Sequence, residues 1–112
     1  MTRTDESDLG AVLGRLAATI EARRGASAES SYTASLLAGG AAKCAKKFGE
    51  EATETVIAAA SGDPGALAHE AADALYHLLV LLAAAGVPVS AVAAELRRRE
   101  GVSGHDEKAA RR

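Results

Sequence analysis

Apolar positions recur at three- and four-residue intervals through most of the chain. Leu9, Val12, Leu13, Leu16 and Ile20 predict a helix over Leu9 to Arg24, with Asp8 as N-cap. Gly25 to Ser30 is small and polar and reads as a linker. A short helix is expected after Ser30 or Ser31, ending near Gly39-Gly40, where each glycine costs a helix about 1 kcal/mol relative to alanine. A longer helix follows from Ala41 to Ala60 and stops at Ser61-Gly62. Asp63-Pro64 restarts the helical pattern, which runs to Ala85 and stops at Gly86 with Pro88 beyond. Ser90 is expected to cap a last helix through Glu100. The domain organisation is a polar N-terminal segment (1–8), one helical domain (9–100) and a flexible charged tail (101–112), with no internal repeat.

Composition narrows the fold class. The 112 residues are 48% apolar but only 3% aromatic, and about a quarter are Ala. A β-sandwich or barrel needs many β-branched and aromatic residues, and a single Cys staples nothing. An all-α bundle of four to five helices remains. The net charge of −2 provides no general attraction for nucleic acid. Met1 to Asp8 lacks the apolar core of a signal peptide. The longest apolar run, Leu78 to Val87, is about half the ~20 residues that span a bilayer. The expectation is a cytoplasmic protein with neither nucleic-acid nor membrane partners.

The charges then divide the helix faces. On the helix over 41–60, Lys43, Lys46, Lys47, Glu50, Glu51 and Glu54 fall on one side. Cys44, Phe48, Ala52, Val56 and Ala59 fall on the other, with Ile57 stranded among the charges. On the next helix Glu70, Asp73 and His77 share a face. From Leu78 onward that helix is apolar all round, which one small chain cannot bury alone, so a second copy of the chain is the simplest partner.

A short turn joins these helices, so they should pack antiparallel and bring two acidic stripes face to face. Like charges there are unfavourable unless water or a cation neutralises them. Solvated ion pairs with the lysines are the bland reading of Glu50–Glu54 alone; the facing Glu70 and Asp73 are harder to explain that way. Hard oxygen donors favour Mg²⁺ or Mn²⁺, and carboxylate-held cations with lysines alongside suit phosphate chemistry.

The pattern Glu50-Glu51-x-x-Glu54 followed by Glu70-x-x-Asp73 resembles the all-α nucleoside triphosphate pyrophosphatases of the MazG-like superfamily. The longer combination is more specific. It comprises Ser31-Tyr32-Thr33, the run Lys46-Lys47-Phe48-Gly49-Glu50-Glu51-Ala52-Thr53-Glu54, and Glu70-Ala71-Ala72-Asp73-Ala74-Leu75-Tyr76-His77-Leu78. Together these look like the phosphoribosyl-ATP pyrophosphatase family, over Leu9 to Leu96. The resemblance implies Mg²⁺-dependent hydrolysis of phosphoribosyl-ATP to phosphoribosyl-AMP and pyrophosphate in histidine biosynthesis, by a homodimer. It implies Glu51, Glu54, Glu70 and Asp73 as metal ligands and Glu50 as a ligand or the group orienting the attacking water. Lys43, Lys46 and Lys47 are candidates for the substrate phosphates, although Lys43 has no counterpart in the motif.

Other residues carry two readings. Ser31, Tyr32 and Thr33 either cap a helix or line the nucleotide site; capping accounts for the serine and leaves the tyrosine over. His77 either supports a ligating carboxylate from behind or is a core or interface histidine. Tyr76 reads as packing and Cys44 as core, while His69 and His105 receive no role. Competing functions are a house-cleaning pyrophosphatase for non-standard nucleotides and a non-catalytic helical dimer or adaptor. A di-iron bundle would want a histidine where Asp73 stands.

Overall fold

The computed structural model describes residues 8–111. The expected polar N-terminal segment, apart from Asp8, lies outside the described residues. The chain forms α1 (Leu9–Ala22), α2 (Tyr32–Ala38), α3 (Gly40–Ser61), α4 (Pro64–Ala85), α5 (Val89–Arg98) and α6 (Gly104–Ala110), with no strand among the described residues. The all-α expectation is borne out.

Local chemistry accounts for the boundaries. The Asp8 carboxylate accepts from the Ala11 N–H, and the Ser31 hydroxyl accepts from the Ala34 N–H. Asp63 caps α4 by accepting from the Gly65 and Ala66 N–H groups, with Pro64 in the first turn. Gly62 and Gly86 end α3 and α4 in the left-handed conformation, which costs glycine little. Gly40, at φ +87°, turns the chain from α2 into α3. Ser90 is not a cap: α5 starts at Val89 behind Pro88, and no side chain caps it. The fixed φ of proline already sets the chain's entry angle. The segment read as a tail carries α6, capped by Ser103.

α3 and α4 form an antiparallel hairpin, with α1 and α2 packed across α4. Ile20, Leu36, Cys44, Leu79 and Val80 make the core. The Cys44 thiol donates to the Leu36 carbonyl, and burial raises its pKa. This is the core role read from the sequence.

The seam of the hairpin differs from the sequence expectation. On α3 the covered positions include Cys44, Phe48, Glu51, Ala52, Thr55 and Ala58, whereas Val56 is 69% exposed and Ala59 is also exposed. On α4 they include Ala66, Glu70, Asp73, His77 and Val80. Within each set runs a stripe that alternates steps of four and three (44, 48, 51, 55, 58 on α3; 66, 70, 73, 77, 80 on α4), the 3.5-residue period of helices packed at a shallow angle. The expected α3 stripe stepped by fours; it is covered as far as Ala52 and leaves the seam at Val56. The shift matters because it carries Glu51, Glu70 and Asp73 into the hairpin.

The chain leaves much of its apolar surface open. Its accessible area is 7678 Å², against about 5,700 Å² for a compact monomer of this mass. Its radius of gyration is 16.1 Å, against about 13 Å for a compact chain of this length. Val56 and Ile57 are exposed, and an apolar groove of about 430 Å³ runs between α1, α4 and α5, lined by Leu13, Leu78, Leu82 and Leu96. On α4 only His77, Leu79 and Val80 are buried, so the burial on every side expected from Leu78 onward is not reached within one chain.

By length and composition α4 is apolar enough to cross a membrane, with mean hydropathy 1.3 over an 18-residue window. Every such window includes Glu70 and Asp73, which are costly in hydrocarbon and here half-buried in the seam. This pattern fits a packing helix.

Candidate active site

The acidic residues enter the seam from both helices. On α4, one helical turn brings Glu70 and Asp73 onto a common face, and His69 joins them. Ligand atoms of these three residues lie within 4.8 Å of one another. His69 Nε2 is 3.4 Å from Asp73 Oδ2, and the Asp73 side chain is 44% exposed, open to solvent and to a ligand. Two carboxylates and an imidazole this close offer hard oxygen donors plus one nitrogen, a set that fits a divalent cation.

The α3 carboxylates stand outside this three-residue cluster. Glu51 is half-buried, while Glu50 and Glu54 are exposed. The register follows from Thr55, whose hydroxyl donates to the Glu70 carbonyl across the hairpin at 3.1 Å. Four residues back along α3 is Glu51 and four residues on along α4 is Ala74, so Glu51 stands level with Asp73 and Ala74. The register therefore aligns the acidic portions of the two helices.

Lys47 Nζ lies 3.3 Å from Glu50 Oε1. Glu50, followed by Tyr32 and Glu51, raises the Lys47 pKa and keeps its ammonium charged. Lys43 and Lys46 are exposed and form no ion pair among the described residues. The stem of Lys43 lies over Gly39, occupying the space a Cβ there would need.

Ser31, Tyr32 and Thr33 divide between the two roles considered from sequence. Ser31 caps α2. The hydroxyls of Thr33 and Tyr76 are hydrogen-bonded at 2.5 Å, which ties α2 to α4. Tyr32 is 56% exposed and stacks on Tyr76 at 6.4 Å between ring centroids. His77 meets Tyr76 and Tyr32 edge-on and is 5% exposed. It makes no hydrogen bond to a carboxylate among the described residues, so the core reading describes it better than support of a ligand. His69, which was given no role, is the histidine beside the acids. Its i,i+4 spacing to Asp73 was the available signal.

The family model for phosphoribosyl-ATP pyrophosphohydrolase matches residues 13–100. A phosphoribosyl-ATP pyrophosphatase of Cereibacter sphaeroides is 64% identical over 100 residues, covering 89% of this chain and 97% of the relative. The protein of that name from Dinoroseobacter shibae is 62% identical, covering 89% and 98%. The one from Paracoccus denitrificans is 61% identical, covering 89% and 93%. With the fold, these matches define an all-α enzyme class, hydrolases that cleave a phosphoanhydride bond. Within it, the chain belongs to the phosphoribosyl-ATP pyrophosphohydrolase family.

Proposed function

We propose that this chain hydrolyses phosphoribosyl-ATP to phosphoribosyl-AMP and pyrophosphate, the second step of histidine biosynthesis. We assign Glu51, Glu54, Glu70 and Asp73 as ligands of Mg²⁺, for which Mn²⁺ can substitute. The observation that carries the reading is the half-burial of Glu51, Glu70 and Asp73 along one hairpin seam. Like charges in a partly desolvated seam oppose folding unless a cation draws them together. The names of the relatives supply the substrate.

The residues then have separable tasks. A bound divalent ion supplies charge stabilisation at the phosphoanhydride. Glu50, exposed beside Lys47, orients the attacking water and accepts its proton. The water oxygen forms a bond to phosphorus as the phosphoanhydride P–O bond breaks, and pyrophosphate leaves with the bonding electron pair. Lys43, Lys46 and Lys47 project from the first turns of α3 and hold the substrate phosphates. Lys47 is suited to this because its neighbours keep it protonated. Tyr32 offers an exposed ring for the base, while Ser31 and Thr33 fix α2 beneath it. His69 lies close enough to Asp73 to steady its carboxylate. A second copy of the chain covers Val56, Ile57 and the α1–α4–α5 groove, forming a homodimer.

Pyrophosphate release by the purified chain, compared between phosphoribosyl-ATP and a panel of nucleoside triphosphates, tests the assignment. Preference for phosphoribosyl-ATP is expected. Turnover of the triphosphates alone would make the chain a house-cleaning pyrophosphatase, and no turnover with no specific Mg²⁺ binding would make it an adaptor.

A further inference from the structure

Thr55 is the uncharged polar residue in the α3 seam, and its hydroxyl bonds in two directions. It donates to the Glu51 carbonyl at 2.9 Å, the ordinary back-bond of a helical threonine, and to the Glu70 carbonyl on α4 at 3.1 Å. A hydroxyl has one proton, so the two carbonyls share it. Glu70 lies within α4, and a carbonyl has a second lone pair that can accept from across the hairpin without giving up the helical bond. The hydroxyl therefore links the backbones of two acidic residues on opposite helices.

We propose that Thr55 is a positioning residue for the metal site, a shared hydroxyl that sets Glu51 on α3 at a fixed height against Glu70 on α4. The proposal rests on the assignment of these acids as metal ligands. Apolar packing alone holds the height loosely here, because the neighbouring seam residues are small: Ala52 and Ala58 on α3, Ala66 and Ala74 on α4. Small residues permit close approach of the helices but offer few interlocking side chains to resist sliding. A directional bond at the level of the acids supplies that resistance.

Thr53 provides an internal control. Its hydroxyl makes the same back-bond, to the Gly49 carbonyl, but it is exposed and, among the described residues, makes no bond to α4. Thr55→Val keeps the shape and loses the hydroxyl, Thr55→Ser keeps the hydroxyl, and Thr53→Val loses only a back-bond. Mn²⁺ binding to each full-length chain, without substrate, is followed by electron paramagnetic resonance of the free ion. Thermal unfolding of the metal-free chains runs alongside.

Thr55→Val is expected to weaken Mn²⁺ binding about 10-fold, the usual effect of removing a group that orients metal ligands. Thr55→Ser and Thr53→Val should bind as the unaltered chain does. Thr55→Ala provides a second removal of the hydroxyl if the valine disturbs packing. If the unaltered chain binds Mn²⁺ and Thr55→Val binds it equally well, the positioning role is wrong and the metal assignment stands. Equal weakening by Thr55→Ser would also overturn it, since the hydroxyl would not be the cause. If the unaltered chain does not bind Mn²⁺, the metal assignment and the role of Thr55 fall together.

Discussion

Glu70→Gln separates the stability of the hairpin from its chemistry. The change removes one of two carboxylates whose ligand atoms lie within 4.8 Å, while keeping the side chain's length and the backbone carbonyl that Thr55 meets. Two unit charges 4.8 Å apart repel by about 0.9 kcal/mol in bulk water and about 3.5 kcal/mol at an effective dielectric of 20. Asp73 is 44% exposed, so the lower part of that range applies, about 1 kcal/mol. Without metal, Glu70→Gln should therefore be more stable than the unaltered chain by about 1 kcal/mol, or about 4–8 °C in Tm. Mg²⁺ at ten times its Kd should stabilise the unaltered chain by about 1.4 kcal/mol through linkage and leave the variant nearly unmoved. Thermal unfolding of both chains, in chelator and in Mg²⁺, measures all four values. A variant less stable than the parent in chelator would refute the account of repulsion in the seam. A variant that Mg²⁺ stabilises as strongly as the parent would refute Glu70 as a ligand.

Other substitutions probe the remaining parts of the structure. Val80 is 0% exposed, and Val80→Ala should cost about 2–3 kcal/mol in urea unfolding, from two lost methyl groups plus the cavity they leave. Its metal affinity should not change once the chain is folded. Gly40→Ala places a side chain at φ +87° and should cost about 1–2 kcal/mol by the same measurement. Glu95, hydrogen-bonded by Arg98 and Arg99, has its pKa lowered from 4.5 to about 2. A lowered carboxylate pKa stabilises the fold above the ordinary value, and that contribution fades as the pH falls from 4.5 towards 2. Carboxyl NMR titration should show Glu95 protonating well below 4.5, and an ordinary carboxylate midpoint for Glu95 would refute the Arg98 and Arg99 hydrogen bonds as the cause.

The helices were largely legible because their ends are written in local chemistry: Asp8, Ser31 and Asp63 as caps, Gly62 and Gly86 as stops. Ser90 misled because serine is a common cap, whereas Pro88 had already fixed the entry of the chain. The acids were legible as a motif, but their place in the fold was not. A stripe stepping by fours runs from Cys44 through Phe48 to Val56, and composition favours it because Val56 is apolar. Packing two helices at a shallow angle selects the 3.5-residue period instead, covering Glu51 and Thr55 and leaving Val56 outside. The histidines follow the same logic. His77 lies one turn beyond Asp73, but at the buried Tyr76 end of the seam, while His69 lies one turn before Asp73 at the open end. Local spacing treats these two directions alike, and only the depth of each turn in the hairpin separates them.

Under the proposed function, facing acids on α3 and α4 hold a divalent cation for cleavage of phosphoribosyl-ATP. The most direct test is pyrophosphate release from phosphoribosyl-ATP by the unaltered chain and by Asp73→Asn, titrated with Mg²⁺. Turnover is expected to depend on Mg²⁺ and to be lost in Asp73→Asn. Equal turnover in chelator, or an Asp73→Asn chain as active as its parent across the titration, would contradict it.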